Sequence, residues 1–241
     1  MSMSRLDTSS FSEAERRGVY RAIYERRDIR SQFLPDPIPD VVLGRLLDAA
    51  HHGPSVGFMQ PWDFIVIRED AVRRRVHDCF VEANRQAAER YNGERRTLYQ
   101  HLKLAGILES PVNLCITCDR ERTLGAGLGR QTDPATDLYS TCCAVQNLWL
   151  AARAESLGVG WVSILDFDRL RELLHIPAHV VPVAYLCLGY VSAFPAAPDL
   201  ESAGWERRES LAHLIHFDSW DDQNEVRAAE LLGPAREEAE G

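Results

Sequence analysis

Gly53-Pro54-Ser55-Val56-Gly57-Phe58-Met59-Gln60-Pro61-Trp62-Asp63-Phe64-Ile65-Val66-Ile67 stops one helix, turns the chain and opens a strand. Gly53 and Pro54 cannot continue the apolar helical pattern before them. Pro54-Ser55-Val56-Gly57 can present backbone N–H groups and a hydroxyl at a ligand edge, and Gln60 and Trp62 add a carboxamide and an aromatic wall. Phe64-Ile65-Val66-Ile67 is an apolar run of strand length. Taken alone, the stretch is equally an ordinary helix-to-strand connection.

Upstream, Ser12 and Glu15 form a capping box ahead of a helix over residues 14–24, with Val19, Tyr20, Ile23 and Tyr24 on one face. That helix ends at Arg26-Arg27-Asp28-Ile29-Arg30. Pro35, Pro37 and Pro39 then break the chain before a helix over 41–51, with Leu43, Leu46, Leu47 and Ala50 in register. Downstream, 69–92 is helical and charged, 93–110 is charged and partly helical, and 112–118 is a strand. Residues 119–132 carry Gly125, Gly127 and Gly129 without a dinucleotide or P-loop spacing, and are expected to form a flexible loop.

Asp133-Pro134 is expected to start a long helix as N-cap and N1, running to about residue 156 and closed by Gly158. A strand over 160–166, a short helix over 168–174 and a strand over 181–190 complete the pattern. Residues 191–217 have no period and suit a segment that wraps another surface; 221–241 are an acidic tail, helical or frayed. The element order gives an α+β fold, with helices around a central sheet.

A chain of 241 residues supports one sizeable core, taken here as a single domain over residues 1–220. The net charge of −9 disfavours a broad nucleic-acid-binding surface. Lys103 is the only lysine, so arginine runs such as Arg73-Arg74-Arg75 are first of all solvated surface. No apolar signal core or membrane-length run is present, and six cysteines without a disulfide-like framework fit a reduced, cytoplasmic protein. Cys115 and Cys118 spell CxxC, but strand alternation sends them to opposite faces. No metal is expected.

Three guanidinium groups at a helix end suit a phosphate, and Asp28 among them is the odd residue. A salt-bridged helix end explains the same cluster equally simply. Gly158-Val159-Gly160-Trp161-Val162-Ser163 places a hydroxyl at a strand end, where Ser163 is as easily a satisfied strand residue. His51-His52 suits the negative end of a helix dipole.

In combination these segments resemble the flavin-dependent nitroreductase family. The matching parts are the basic cluster, Pro-Ser-x-Gly-x-x-Gln-Pro-Trp, Gln146-Asn147-Leu148-Trp149-Leu150-Ala151-Ala152, Gly158-Val159-Gly160-Trp161 and Leu188-Gly189-Tyr190, across residues 15–210. The resemblance implies an α+β nitroreductase-like fold with a central mixed sheet, a domain-swapped homodimer, and FMN at the dimer interface. The segments around Asp28, Tyr99–Ile107, Asp137–Thr141 and Ser163 are similar to one branch of that family, which spends its own flavin. That branch implies oxygen-dependent fragmentation of reduced FMN to 5,6-dimethylbenzimidazole and erythrose 4-phosphate, with O2 as co-substrate and a separate flavin reductase as supplier.

By the same resemblance, Arg26, Arg27 and Arg30 hold the phosphate and ribityl end, within a binding segment that includes Asp28 and Ile29; Arg207 adds to them from the tail. Ser55 and Gln60 line the flavin. Asp28 and Ser163 are the catalytic pair, with Asp28 as a base near C1′, kept ionised by its arginine neighbours. Residues 84–110 match a lid-like insertion. Ala105 and Cys142 depart from the branch, which has Glu and Val there. The competing readings are an NAD(P)H-dependent nitro- or quinone reductase, which needs an open flavin face, and a flavin-binding protein without turnover.

Overall fold

Ser12 opens the first helix as a full capping box, its hydroxyl accepting from the Glu15 N–H and its own N–H donating to Glu15 Oε2. The computed structural model describes the backbone of residues 10–240 and the side chains of residues 10–233. Residues 1–9, where an apolar leader is not expected, and Gly241 of the acidic tail lie outside the described residues.

Helices α1 (Glu13–Glu25) and α2 (Asp40–His51) precede strand β1 (Trp62–Ile67). Helices α3 (Asp70–Ala88) and α4 (Gly93–His101) lead to β2 (Val112–Asp119), and α5 (Thr136–Ala154) to β3 (Leu157–Val162). Helix α6 (Phe167–Leu173) returns the chain to β4 (Val180–Tyr190). The sheet order is β1-β2-β4-β3, so β3 is an edge strand. All three strand pairs are antiparallel; the parallel component of the expected mixed sheet is a single bridge from Asp28 to Val159 on that edge. A bulge on β4 skips Val183 beside Pro182, where the missing proline N–H has no ladder bond to give.

Alternate residues of the strands serve two apolar clusters. One face carries Leu114, Ile116, Val159, Leu186 and Leu188 against Leu46 of α2 and Leu148 of α5. The other carries Ile67, Cys115, Tyr185 and Cys187 against Val76 and Cys79 of α3 and Leu170 of α6. Cys115 lies in this second cluster, whereas Cys118 bonds Thr141 of α5, so the CxxC thiols do part to opposite faces. Burial pushes the Cys115 thiol up to about 12, which suits packing and not redox chemistry. Among the described residues, no group of three His, Cys, Asp or Glu is placed to hold a metal ion, and no helix is long and apolar enough to cross a membrane.

Three sequence expectations differ from the structure. Helix α5 begins at Thr136 with Ala135 as N-cap, because Asp133 Oδ1 accepts the Ala135 N–H at 2.9 Å and makes a separate turn first. Gly158 does not close that helix; Glu155 caps it, Ser156 takes a φ of 62°, and Gly158 lies inside β3. The glycine-rich loop is packed, not loose: a Cβ on Gly125 would stand 1.9 Å from the Gly57 carbonyl oxygen, so only glycine lets the two loops meet.

The chain forms two units, residues 1–199 and 200–241. Helix α7 (Asp199–Ser202) begins at the last residue of the first unit, and the second unit continues with a 3-10 turn at Leu211–Leu214 and α8 (Glu225–Glu240). His216 stacks on Trp220 with ring centroids 4.5 Å apart, and the Arg227 guanidinium lies 3.9 Å over Phe217.

Candidate active site

Gly158 and Gly160 set the site's geometry. A Cβ on Gly160 would stand 2.0 Å from the Ile29 carbonyl oxygen, and one on Gly158 would stand 3.0 Å from the Ile29 side chain. The segment after α1 therefore lies flat against the free edge of β3, with the Ile29 N–H donating to the Val159 carbonyl at 2.9 Å. Ile29 is buried completely and anchors the segment to the core.

This anchoring fixes Asp28. Its Oδ1 accepts the Trp161 backbone N–H at 3.0 Å, and its Oδ2 accepts Arg30 Nη2 at 2.5 Å. The side chain keeps 33% of its surface open, against 10% for Arg30. Burial raises the carboxyl above its ordinary 3.8, and Arg30, the Trp161 N–H and Arg26 pull it back only in part. Desolvation is the larger influence on the carboxyl, and the expected arginine contribution acts against it.

The three arginines do different work. Arg26 lies over Trp149 with its guanidinium carbon 4.8 Å from the ring centroid. Arg27 donates to the carbonyls of Tyr24 and Arg26 at 2.8 Å, and to that of Ala196 at 2.5 Å, closing the end of α1. Arg30 is buried against Asp28. The Nε atoms of Arg27 and Arg30 are buried without a hydrogen-bond partner. The unpartnered Arg27 Nε fits an anionic, oxygen-rich ligand such as a flavin phosphate and its ribityl chain.

The loop carrying the other predicted flavin contacts, Ser55 and Gln60, packs elsewhere along α5. Ser140 Oγ accepts the Val56 N–H at 3.1 Å, while Trp149 Nε1 donates to the Arg27 carbonyl at 3.3 Å. Ser140 and Trp149 are separated by roughly 13 Å of helix. In the loop itself, Ser55 Oγ accepts the Gln60 N–H at 3.2 Å, and Phe58 and Gln60 both take positive φ. Phe58 is 78% exposed. One chain thus unites Asp28, Arg30 and β3, and holds Ser55 and Gln60 at the opposite end of α5.

Ser163 follows the end of β3, exposed and two residues beyond the Trp161 N–H that holds Asp28. It lines a cleft of about 390 Å³ between α3 and the turn into α6, together with Cys79, Ala83, Gln86, Arg90 and Arg169. Sequence reasoning did not find this cleft, since nothing in the α3 pattern marks the face that lines it. It also missed Trp161, which acts through its backbone, although the tight Gly158-Val159-Gly160 spacing signals a close approach. Arg207 belongs to the second unit, where it is exposed and its N–H donates to Glu206. His52 Nδ1 does lie 2.8 Å from the Asp48 carbonyl at the end of α2, whereas His51 accepts from Trp62 Nε1 at 3.1 Å.

The insertion is tied to the same segment. Tyr99 donates to Asn84 Oδ1 at 2.7 Å and stacks on Tyr91, pinning α4 to α3. A Cβ on Gly106 would stand 2.8 Å from the Arg30 carbonyl oxygen, so the insertion returns directly against the Asp28–Arg30 backbone.

This architecture is a known one. The nitroreductase family matches residues 23–190, and the chain belongs to that family. It is 41% identical over 198 residues to the 5,6-dimethylbenzimidazole synthase of Rhodospirillum rubrum, covering 82% of this chain and 93% of the relative. It is 39% identical to a protein of the same name from Rhodobacter capsulatus, covering 82% and 95%. Among solved structures, an iodotyrosine deiodinase bound to FMN and 3-iodo-L-tyrosine superposes with a TM-score of 0.66 at 18% identity, over 84% of this chain and all of that one. At that identity the likeness concerns the fold.

Proposed function

We propose that this protein fragments reduced FMN with O2, releasing 5,6-dimethylbenzimidazole and erythrose 4-phosphate. The observation that carries the reading is the Asp28 carboxylate, fixed on the β3 edge by the Trp161 N–H and Arg30. Relatives at 41% and 39% identity named for benzimidazole synthesis support it. Bound reduced FMN would supply the electrons that activate O2, and, as the substrate, the ring and C1′ carbon of the product.

The chain's residues would then do the following. The basic segment, with Arg26 and Arg27 foremost, holds the phosphate and ribityl end. Asp28 takes the C1′ proton, and its raised carboxyl makes it a stronger base than an ordinary aspartate. Ser163 donates a hydrogen bond to the reacting oxygen or the ring. Residues 84–110, pinned by Tyr99 and Gly106, serve as a lid that excludes water. Ser55 and Gln60 contact the flavin across a homodimer interface, which their separation from Arg27 along α5 supports. A separate flavin reductase supplies the reduced substrate. All six cysteines are free thiols, which suits a cytoplasmic setting.

The test is to mix the protein with chemically reduced FMN, admit O2 and assay 5,6-dimethylbenzimidazole. Wild type should form it, and Asp28→Asn should lose at least about a hundredfold, the scale of a positioned general base. If wild-type flavin merely reoxidises, the reading fails; rapid NAD(P)H oxidation in its place would establish a reductase.

A further inference from the structure

The arginine cluster divides by burial. Arg27 faces the carbonyls at the end of α1, and Arg26 lies over an indole ring. Arg30 alone is turned inward: its Nη2 lies 2.5 Å from Asp28 Oδ2 and its Nη1 lies 3.5 Å from the Asp28 carbonyl. Gly106 of the insertion lies against the Arg30 backbone, where an added Cβ would stand 2.8 Å from the carbonyl oxygen. Both terminal nitrogens are committed to Asp28 and only the buried Nε lacks a partner, which leaves no fork of free N–H groups for a phosphate.

We infer that Arg30 is a positioning residue for Asp28 and not a phosphate ligand. The inference rests on Asp28 acting as the base in the proposed reaction. With Oδ1 on the Trp161 N–H and Oδ2 on Arg30, the carboxylate is held in place at both oxygens. The groups facing Asp28 are Arg26 and Arg30 from its own segment, the Trp161 N–H from β3 and the Cys187 thiol from β4. Arg30 is the largest of the influences that favour the anion. Removing it leaves burial less opposed, so Asp28 should hold its proton to higher pH.

The experiment compares wild type, Arg30→Met and Arg30→Lys. Three quantities are read: benzimidazole yield per turnover against pH, the Kd of oxidised FMN against that of riboflavin, and the ¹³C carboxyl titration of Asp28, assigned with Asp28→Asn. In Arg30→Met the acid limb of the yield and the carboxyl titration should both move up by about one pH unit. The FMN-to-riboflavin affinity ratio should change by less than about threefold, because no phosphate contact is lost. Arg30→Lys should restore part of the shift, and gives the same reading if the Met variant does not fold. An unmoved titration overturns the inference. So does a loss of about tenfold or more in FMN affinity that riboflavin does not share, the signature of a phosphate ligand. If the titration moves but wild type forms no benzimidazole, the pairing stands and the proposed reaction fails.

Discussion

Asp28 shows how one residue's environment sets a measurable pH dependence. A base must be ionised to accept a proton, so turnover falls as pH drops through the carboxyl's own value in the fold. Burial raises that value above 3.8, and the acid limb of turnover is therefore expected at higher pH than an ordinary aspartate would give. A limb at or below that value in a pH–yield profile would contradict this. Gly160 is the second decisive residue. Its replacement by Ala drives a Cβ to 2.0 Å from the Ile29 carbonyl oxygen, and neither backbone can yield without breaking the β3 edge contact. Gly160→Ala should lose benzimidazole formation almost wholly and cost about 1–3 kcal/mol in denaturant unfolding. Wild-type activity in that variant would show that the Asp28 segment need not lie flat on β3.

At the scale of elements, β2 and β4 share a buried polar chain that locks the end of the insertion. Tyr185 donates to Asn113 Oδ1 at 2.8 Å, and Asn113 Nδ2 donates to Ser110 Oγ at 2.6 Å. Burial keeps the Tyr185 hydroxyl protonated, so the donor persists across any working pH. Tyr185→Phe leaves Asn113 Oδ1 without this donor and should cost about 1–3 kcal/mol, read from chemical denaturation. A stability within a few tenths of wild type would mean that another group replaces the donor. This scale also shows what a sequence can and cannot reveal. The Ser12 box, the apolar face of α2 and the alternation along β2 are local patterns, and each forms where its pattern lies. The place of Gly158 and the packed glycine loop differ from the local pattern because distant partners decide them, and the start of α5 differs because a competing local turn forms first. Asp133 turns back on Ala135, Gly158 makes room for Ile29, and Gly125 makes room for Gly57. The site divides likewise: Asp28 and the glycines stand out in one dimension, whereas the inward turn of Arg30 exists only in three.

Across the first unit as a whole, the apolar surface is not all spent on the core. Helix α1 buries no residue, and Val19, Tyr20, Ile23 and Tyr24 remain exposed along one side, with Tyr20 and Tyr24 stacked at 5.7 Å. Phe58, beside the Ser55–Gln60 turn, is exposed too. Exposed aromatic and aliphatic surface of this kind favours association, and aromatic residues supply much of the energy at such interfaces. If a second copy covers this face, flavin contacts split between the ends of α5 can be completed from two chains. Placing glutamates at Tyr20 and Tyr24 buries charge in that interface and removes, inside one chain, only the exposed Tyr20–Tyr24 stack. The double variant should keep its circular dichroism spectrum, sediment as a monomer and bind oxidised FMN at least about tenfold more weakly than a dimeric wild type. A variant that stays dimeric with wild-type flavin affinity would exclude this face from the interface, and a monomeric variant with unchanged affinity would show that one chain holds the flavin by itself.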